Sequence, residues 1–170
     1  MVQPSPVRIV YCYGEYQQLF ASYPQVEFQH GLPQMSDFDG REPVLLVIDD
    51  LMNKVGDSVV NLFTNGFHHR NVSVVLMVQN LFYKNKHVKA ISLNAHYIVL
   101  FKNPRDASQF SSLARQIYPN NSNFAVEAYK DATQEPFSYL MLDFRPEQDD
   151  HLRLRTNIFP RETHYVYVPK

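Results

Sequence analysis

Two adjacent carboxylates follow an apolar run near the middle of the chain. Asp49 and Asp50 come directly after Val44–Ile48, five consecutive aliphatic residues. An uninterrupted aliphatic run of this length predicts a strand covered on both faces, as in parallel sheets. Ligands of open α/β sheets bind at the carboxyl ends of such strands. Paired carboxylates there can bind Mg²⁺ and polarise a water molecule, so this pair is the leading candidate for chemistry.

Acidic residues also have structural roles after buried strands. They form turns or cap helices, and Asp50 could be the N-cap of a helix that begins near Leu51. In P-loop ATPases, by contrast, an aliphatic strand with this ending is the Walker B element. On that interpretation Asp49 binds Mg²⁺ and Asp50 is the catalytic base. The residues alone leave both interpretations open.

Side-chain amides follow a second predicted strand, at 72–78. Gln79 and Asn80 come next in the sequence and would lie at the same sheet edge as the acidic pair. An amide there can orient water against a phosphate without adding charge. Either residue would be the polar sensor of such a site, with Asn80 as a contact to the nucleotide. The alternative is that the two amides only open the next loop.

Two arginines are candidates for phosphate contacts, because a guanidinium supplied in trans completes neighbouring sites in oligomeric ATPases. They are Arg70 and Arg105, and for each the alternative is a solvated or salt-bridged side chain. His68 and His69 invite a metal interpretation, but adjacent side chains of an extended segment point to opposite sides. A metal-dependent nuclease that uses the two aspartates and one histidine is therefore a minor alternative.

The elements that position these residues alternate between strands and helices. Strands are predicted at 7–13, 26–28, 44–48, 72–78 and 97–101, helices at 16–23, 55–63, 106–117 and 123–132, and a terminal hairpin at 137–144 and 152–158. This alternation predicts βαβ units and a mostly parallel sheet. We expect a single α/β domain over residues 1–170.

Composition narrows the class of protein. Hydrophobic residues make up 45% of the chain and charged residues 19%, which excludes intrinsic disorder. Sixteen basic residues nearly balance 17 acidic ones, so any DNA contact must be local. Two basic clusters interleaved with aromatic residues could make it. They contain Lys84, Lys86 and Lys89, and later Arg145, Arg153, Arg155 and Arg161.

The expected compartment is intracellular, in the nucleus or the cytoplasm. The lone cysteine, Cys12, allows no disulfide framework within the chain. No secretion signal is recognisable, and no apolar run approaches the ~20 residues of a membrane helix. We therefore expect a soluble protein that is not secreted and has no membrane partner.

Several segments together closely resemble packaging-type ATPases of the FtsK-HerA superfamily, in the branch found in poxvirus-like viruses and in Polinton or Maverick elements. The segments are LLVIDDLM, HHRNVSVVLMVQNLF, ISLNAHYIVLFKNPRDASQ, LARQIYP and LRLRTNIFP, and the resemblance extends over residues 8–160. It implies a RecA-like sheet with helices on both faces, Mg²⁺ and ATP as cofactors, a homo-oligomeric ring, and double-stranded DNA as the translocated partner.

The same resemblance assigns roles to individual residues. Asp49 and Asp50 match the Walker B acids and Gln79 the polar sensor. Arg70 and Arg105 fall in segments where inter-subunit arginines would lie.

The chain departs from this family at the phosphate-binding loop. Family members carry a strand, a GxxxxGK[ST] loop and a helix upstream of the segment that matches VRIVYCYGEY, whereas this sequence contains no such loop. A backbone cradle and a lysine for the β- and γ-phosphates are then missing. We therefore expect a partial or degenerate DNA-packaging ATPase with Walker B and sensor elements that does not hydrolyse ATP alone.

The alternative is a non-enzymatic DNA-binding or ring-assembly module derived from such an ATPase. In either case the absent strand would leave a gap in the sheet. Its neighbours would close up, a second copy of the chain would pair there, or a partner or upstream segment would supply the strand and the loop.

Overall fold

The computed structural model describes residues 5–66, 71–80, 86–105 and 107–169. By its internal contacts the chain divides into two compact units, Met1–Asn94 and Ala95–Lys170. The first unit contains a parallel sheet and the second an antiparallel sheet, each with its own helices. The α/β class and a parallel sheet, both predicted from the sequence, are confirmed for the first unit.

Four parallel strands form the sheet of the first unit in the order β2-β1-β3-β4. They are β1 (Arg8–Tyr13), β2 (Glu27–His30), β3 (Val44–Ile48) and β4 (Val72–Leu76). Leu46, at the centre of β3, lies opposite Val10 of β1 and Val74 of β4 and is fully buried. The strand that ends at the acidic pair is therefore an interior strand of its sheet.

Helical segments of the first unit are short. They are 3-10 helices at Gln18–Ser22, Met35–Asp37 and Met52–Lys54, α1 (Asp57–Asn61) continued by a π-helical turn at Leu62–Gly66, and α2 (Lys86–Asn94). The helix predicted at 16–23 is thus only a 3-10 helix, with Phe20 as its buried residue. Helix α2 was not predicted, and it carries Lys86 and Lys89 of the first basic cluster.

The second unit contains an antiparallel sheet whose four strands lie side by side in the order in which they occur along the chain. Its strands are β5 (Tyr97–Phe101), β6 (Tyr139–Asp143), β7 (Leu154–Thr156) and β8 (Tyr165–Tyr167), and its helices are α3 (Ala107–Ile117) and α4 (Ser122–Ala132). The predicted hairpin is confirmed as β6 and β7. Strand β5, expected in a parallel sheet, instead runs antiparallel to β6.

The direction of β6 follows from the connection that precedes it. A single helix between two strands returns the chain to its starting side and gives a parallel pair. Here two helices, α3 and α4, lie between β5 and β6 and contact each other. The second helix returns the chain to the end where β5 finished, so β6 enters in the opposite direction.

Candidate functional site

One cavity lies at the carboxyl ends of β3 and β4. It has a volume of about 310 Å³, and its lining residues are Gln17, Asp49, Asp50, Met77, Val78 and Gln79. The Asp49 amide donates to the carbonyl oxygen of Cys12 at 2.8 Å, and the Met77 amide donates to that of Ile48 at 2.9 Å. The strands therefore stay in register up to this edge. The structure brings Asp49, Asp50 and Gln79 together, as the parallel sheet requires.

Tyr11 positions the first of the two carboxylates. Its hydroxyl donates to Asp49 Oδ2 at 2.7 Å. The ring lies on β1 and contacts Phe20 and Phe28, with centroid distances of 5.5 and 5.6 Å. Because the ring is packed and half-buried, the hydrogen bond fixes one carboxylate oxygen and with it the orientation of the group at the cavity.

Asp50 adopts a backbone conformation that is uncommon outside glycine. Its φ is 52°, in the left-handed region that aspartate tolerates better than most residues. Gly14 lies against this turn, since a Cβ built on Gly14 would come within 3.0 Å of the Asp50 carbonyl oxygen. The missing side chain of Gly14 thus lets the end of β1 approach Asp50 closely. The turn, together with this contact, sets where the second carboxylate lies.

Asp50 is not the N-cap residue of an α-helix, which was the alternative interpretation of its position. The first α-helix after β3 is α1, which begins at Asp57 with Gly56 as its N-cap residue. The residues directly after Asp50 form only a short 3-10 turn at Met52–Lys54. The structural role that remains for Asp50 is the turn itself.

Comparisons with protein-family models, with curated proteins and with solved structures gave no match to this chain. The likeness to packaging ATPases therefore stays a prediction from the sequence segments, and the geometry of the site has to be judged on its own.

The two amides predicted as sensors differ in position. Gln79 is exposed and lines the cavity, whereas the lining formed by the described residues does not include Asn80. A further amide, Gln17, lines the cavity from the segment after β1. This role was not predicted, because Gln17 fell within the predicted helix at 16–23.

Neither predicted arginine is among the described residues that line this cavity. Arg70 lies outside the described residues, as do His68, His69 and Lys84. Arg105 belongs to the second unit, where it is exposed and its backbone amide donates to Asn103 Oδ1 at 3.1 Å. A trans contact from either arginine stays a prediction.

Mg²⁺ fits the donor set at the cavity only together with other ligands. Among the described residues, no group of three or more His, Cys, Asp or Glu side chains could hold a metal ion. Asp49 and Asp50 offer two carboxylates, one of which already accepts a hydrogen bond from Tyr11. Mg²⁺ commonly takes one or two carboxylates and completes its shell with water and substrate phosphates. The pair therefore suits a metal that arrives with phosphates.

The arginine cluster of the second unit is largely neutralised by carboxylates. Buried Asp143 accepts hydrogen bonds from Arg145 Nε and Nη2 at 3.0 and 2.8 Å, and Arg155 Nη2 lies 3.5 Å from its Oδ2. Arg153 pairs with Asp150. Paired guanidinium groups present a weaker positive field to solvent than free ones. The argument for DNA contact at these arginines is therefore weaker than the sequence indicated.

No helix within the described ranges is long and apolar enough to cross a membrane.

Titration of Tyr11 gives a direct test of its bond to Asp49. Burial raises the pKa of the Tyr11 phenol to about 12, with further contributions from the hydrogen bond to Asp49 and from the charge of that carboxylate. Asp49→Asn removes the charge, so we expect the pKa of Tyr11 to fall. The raised pKa of Tyr139 in the second unit, caused first by burial, should not change.

The measurement is the pH dependence of the tyrosine Cζ chemical shifts by NMR. An unchanged Tyr11 titration in Asp49→Asn would show that the carboxylate does not contact the phenol in solution.

Proposed function

We propose that the first unit is the Walker B half of a nucleotide site in a partial DNA-packaging ATPase with a RecA-like sheet. The proposal is carried by one observation: two carboxylates and an amide, Asp49, Asp50 and Gln79, line one cavity where two adjacent parallel strands end. This is the edge at which open α/β sheets bind their ligands. The unit would become active only when another segment or subunit supplies a phosphate-binding loop.

Each residue has a defined role in this proposal. Asp49, held by the Tyr11 hydroxyl at 2.7 Å, would bind Mg²⁺ directly or through water. Asp50 would accept a hydrogen bond from the attacking water and draw off its proton, and Gln79 would orient that water by its amide. The bound Mg²⁺-ATP would supply an electrophilic γ-phosphate whose charge the metal partly neutralises.

The free edge of β4 favours the idea that another segment or subunit supplies the phosphate-binding loop. Among the described residues β4 pairs with β3 on one side and with no strand on the other. Val75 of β4 is 44% exposed, and Met77, which follows the strand, is 47% exposed. Unpaired apolar strand edges readily accept a further strand through backbone hydrogen bonds. A parallel strand added here would end at the same edge as Gln79, which is where a phosphate-binding loop would be needed.

Paramagnetic broadening by Mn²⁺ tests this proposal. With ATP and a trace of Mn²⁺ added to the ¹⁵N-labelled chain, we expect the amide signals of Asp49, Asp50 and Gln79 to broaden selectively. Mn²⁺ without ATP should broaden them less, because the two carboxylates need phosphate ligands as partners. Binding should be weak, roughly millimolar, and ATP turnover negligible.

Matched variants define the role of Asp49. Asp49→Asn should weaken the broadening at least about tenfold, since even an outer partner of a bound metal contributes that much. Asp39→Asn changes an exposed carboxylate of the same unit and should leave it unchanged. Equal broadening in the two variants would remove Asp49 as a ligand. Micromolar binding of ATP by the chain alone would show that the chain contains a phosphate-binding element of its own.

A non-enzymatic assembly module is the second candidate. The free edge of β4 favours it, because strand addition there needs no chemistry. In that case neither nucleotide nor Mn²⁺ should affect the signals at the cavity in any variant.

A further inference from the structure

Strand β5 has an open edge. It pairs with β6 on one side, and within the described ranges no strand pairs with it on the other. The His96 carbonyl accepts a hydrogen bond from the Phe144 amide of the β6 side at 2.8 Å. Backbone groups of successive residues in an antiparallel strand face opposite sides. Ile98 and Leu100 therefore bond towards β6, and the backbone groups of the other three β5 residues face the open edge.

Those three residues also present apolar side chains to solvent. Tyr97, Val99 and Phe101 are 45%, 46% and 58% exposed, and they alternate along β5 with half-buried Ile98 and Leu100. Proteins normally protect such an edge with a charge, a proline or a bulge. The β5 sequence, YIVLF, has no charged residue, no proline and no glycine. Within the strand itself none of these protections is present, and the nearby charge is that of Arg145, whose guanidinium lies over the Tyr97 ring at 5.3 Å.

The other sheet edges are less suited to pairing with themselves. Strand β2 (EFQH) carries Glu27 and His30, and β8 has only three residues. Strand β4 belongs to a parallel sheet, so a two-fold antiparallel partner would break the pattern of its own sheet. An antiparallel copy of β5 would continue the pattern that already joins β5, β6, β7 and β8.

We propose that two copies of this chain pair through β5, antiparallel and centred on Val99. In this register Val99 lies opposite the partner's Val99, and Tyr97 lies opposite the partner's Phe101. These are the residues whose backbone groups face outwards, so each opposed pair can exchange two hydrogen bonds. The two four-stranded sheets would then form one continuous antiparallel sheet.

The side chains match in the same register. Tyr97 and the partner's Phe101 form an aromatic cross-strand pair, and the two valines form a β-branched pair. Both kinds of pair stabilise antiparallel sheets. The Phe101 carbonyl already accepts a hydrogen bond from the Tyr129 hydroxyl at 2.9 Å, but a carbonyl oxygen has a second lone pair for the partner's amide. The interface is small, so we expect a weak dimer that depends on concentration.

Sedimentation equilibrium of the whole chain at rising concentration tests the dimer. Val99→Lys should give a monomer with an unchanged circular dichroism spectrum, since lysine on an edge strand opposes pairing. Val75→Lys is the matched control on the β4 edge, where the valine is 44% exposed against 46% for Val99, and it should still dimerise. A wild-type monomer at all concentrations, or equal effects of the two lysines, would overturn the proposal.

Cysteine cross-linking tests the register and does not depend on the lysine variants folding. Opposed residues of a hydrogen-bonded pair have Cα atoms about 5.5 Å apart, within the span of a disulfide. Val99→Cys should therefore form a disulfide-linked dimer quickly under mild oxidation. Tyr97→Cys should not, because each Tyr97 lies opposite the partner's Phe101 and the two introduced cysteines would be four residues apart. The wild-type chain, with buried Cys12 as its cysteine, shows the background level of cross-linking. Equally fast cross-linking of both variants would rule out the register.

Discussion

Replacing Asp143 with asparagine is expected to lower the free energy of unfolding by about 3 kcal/mol or more. Asp143 has no exposed surface, and it accepts two hydrogen bonds from the Arg145 guanidinium while Arg155 lies 3.5 Å away. Asparagine would remove the charge that faces both arginines in this partly buried site, and Arg145 would keep only the exposed Glu147, 3.5 Å away. Urea denaturation at neutral pH measures the loss.

The effect of this variant should depend on pH in a defined direction. Burial alone would raise the pKa of Asp143, but the hydrogen bonds from Arg145 and the charges of Arg145 and Arg155 outweigh it, so the pKa lies below its ordinary value. A lowered pKa stabilises the fold above the unfolded pKa of about 3.9. That contribution disappears as the pH falls through the folded pKa. The difference between wild type and variant should therefore be constant near neutral pH and shrink in acid.

Asp150→Asn is the matched control for Asp143→Asn. The Asp150 side chain is 80% exposed in its pair with Arg153, and exposed pairs contribute less than about 1 kcal/mol. If the two variants lose equal stability, the buried Asp143 pair is not an important stabilising contact.

Leu46→Ala is expected to cost about 2–5 kcal/mol of unfolding free energy, because it removes buried methyl groups and leaves a cavity. Leu46 is fully buried at the centre of β3, between β1 and β4. The same change at Leu93 in α2, which is 73% exposed, should stay within about 0.5 kcal/mol. Urea unfolding and amide exchange along β3 measure both variants. Equal losses would contradict the interior position of β3.

Individual strands of both sheets could be predicted because a strand depends on a local pattern of apolar residues. Val44–Ile48 and Tyr97–Phe101 were predicted with the bounds that the structure has, since each is an unbroken apolar run. Helix α2 was missed because its only buried residues are Val88 and Ile91, with lysines between and before them. Strand β8 was missed because three residues give too short a pattern.

The antiparallel pairing of β5 with β6 could not be predicted from the sequence, for a different reason. Its run is typical of a strand in either kind of sheet, and its direction relative to β6 depends on whether one helix or two lie between them. The sequence predicted both helices but treated the alternation as repeated βαβ units. Which strands pair in a sheet, and in which direction, depends on residues far apart in the sequence, so a local pattern does not predict it.

The candidate site was predicted in part for similar reasons. Two adjacent strands are followed by Asp49, Asp50 and Gln79, and parallel strands place such residues at one edge of the sheet. Tyr11 was missed because its contact with Asp49 depends on the register of β1 against β3, in which Tyr11 lies opposite Val47. Alternation along β1 predicts which face Tyr11 occupies but not which neighbour its hydroxyl reaches.

The close approach of Gly14 to Asp50 constrains how this protein can change. A methyl group at position 14 would meet the Asp50 carbonyl oxygen at 3.0 Å, so the turn that aims the acid would have to shift. Selection that maintains the orientation of the Asp50 carboxylate would therefore also act on Gly14, although Gly14 has no side chain. Because the contact is with the backbone of residue 50, a side chain at position 14 should be tolerated only where the backbone of this turn has moved.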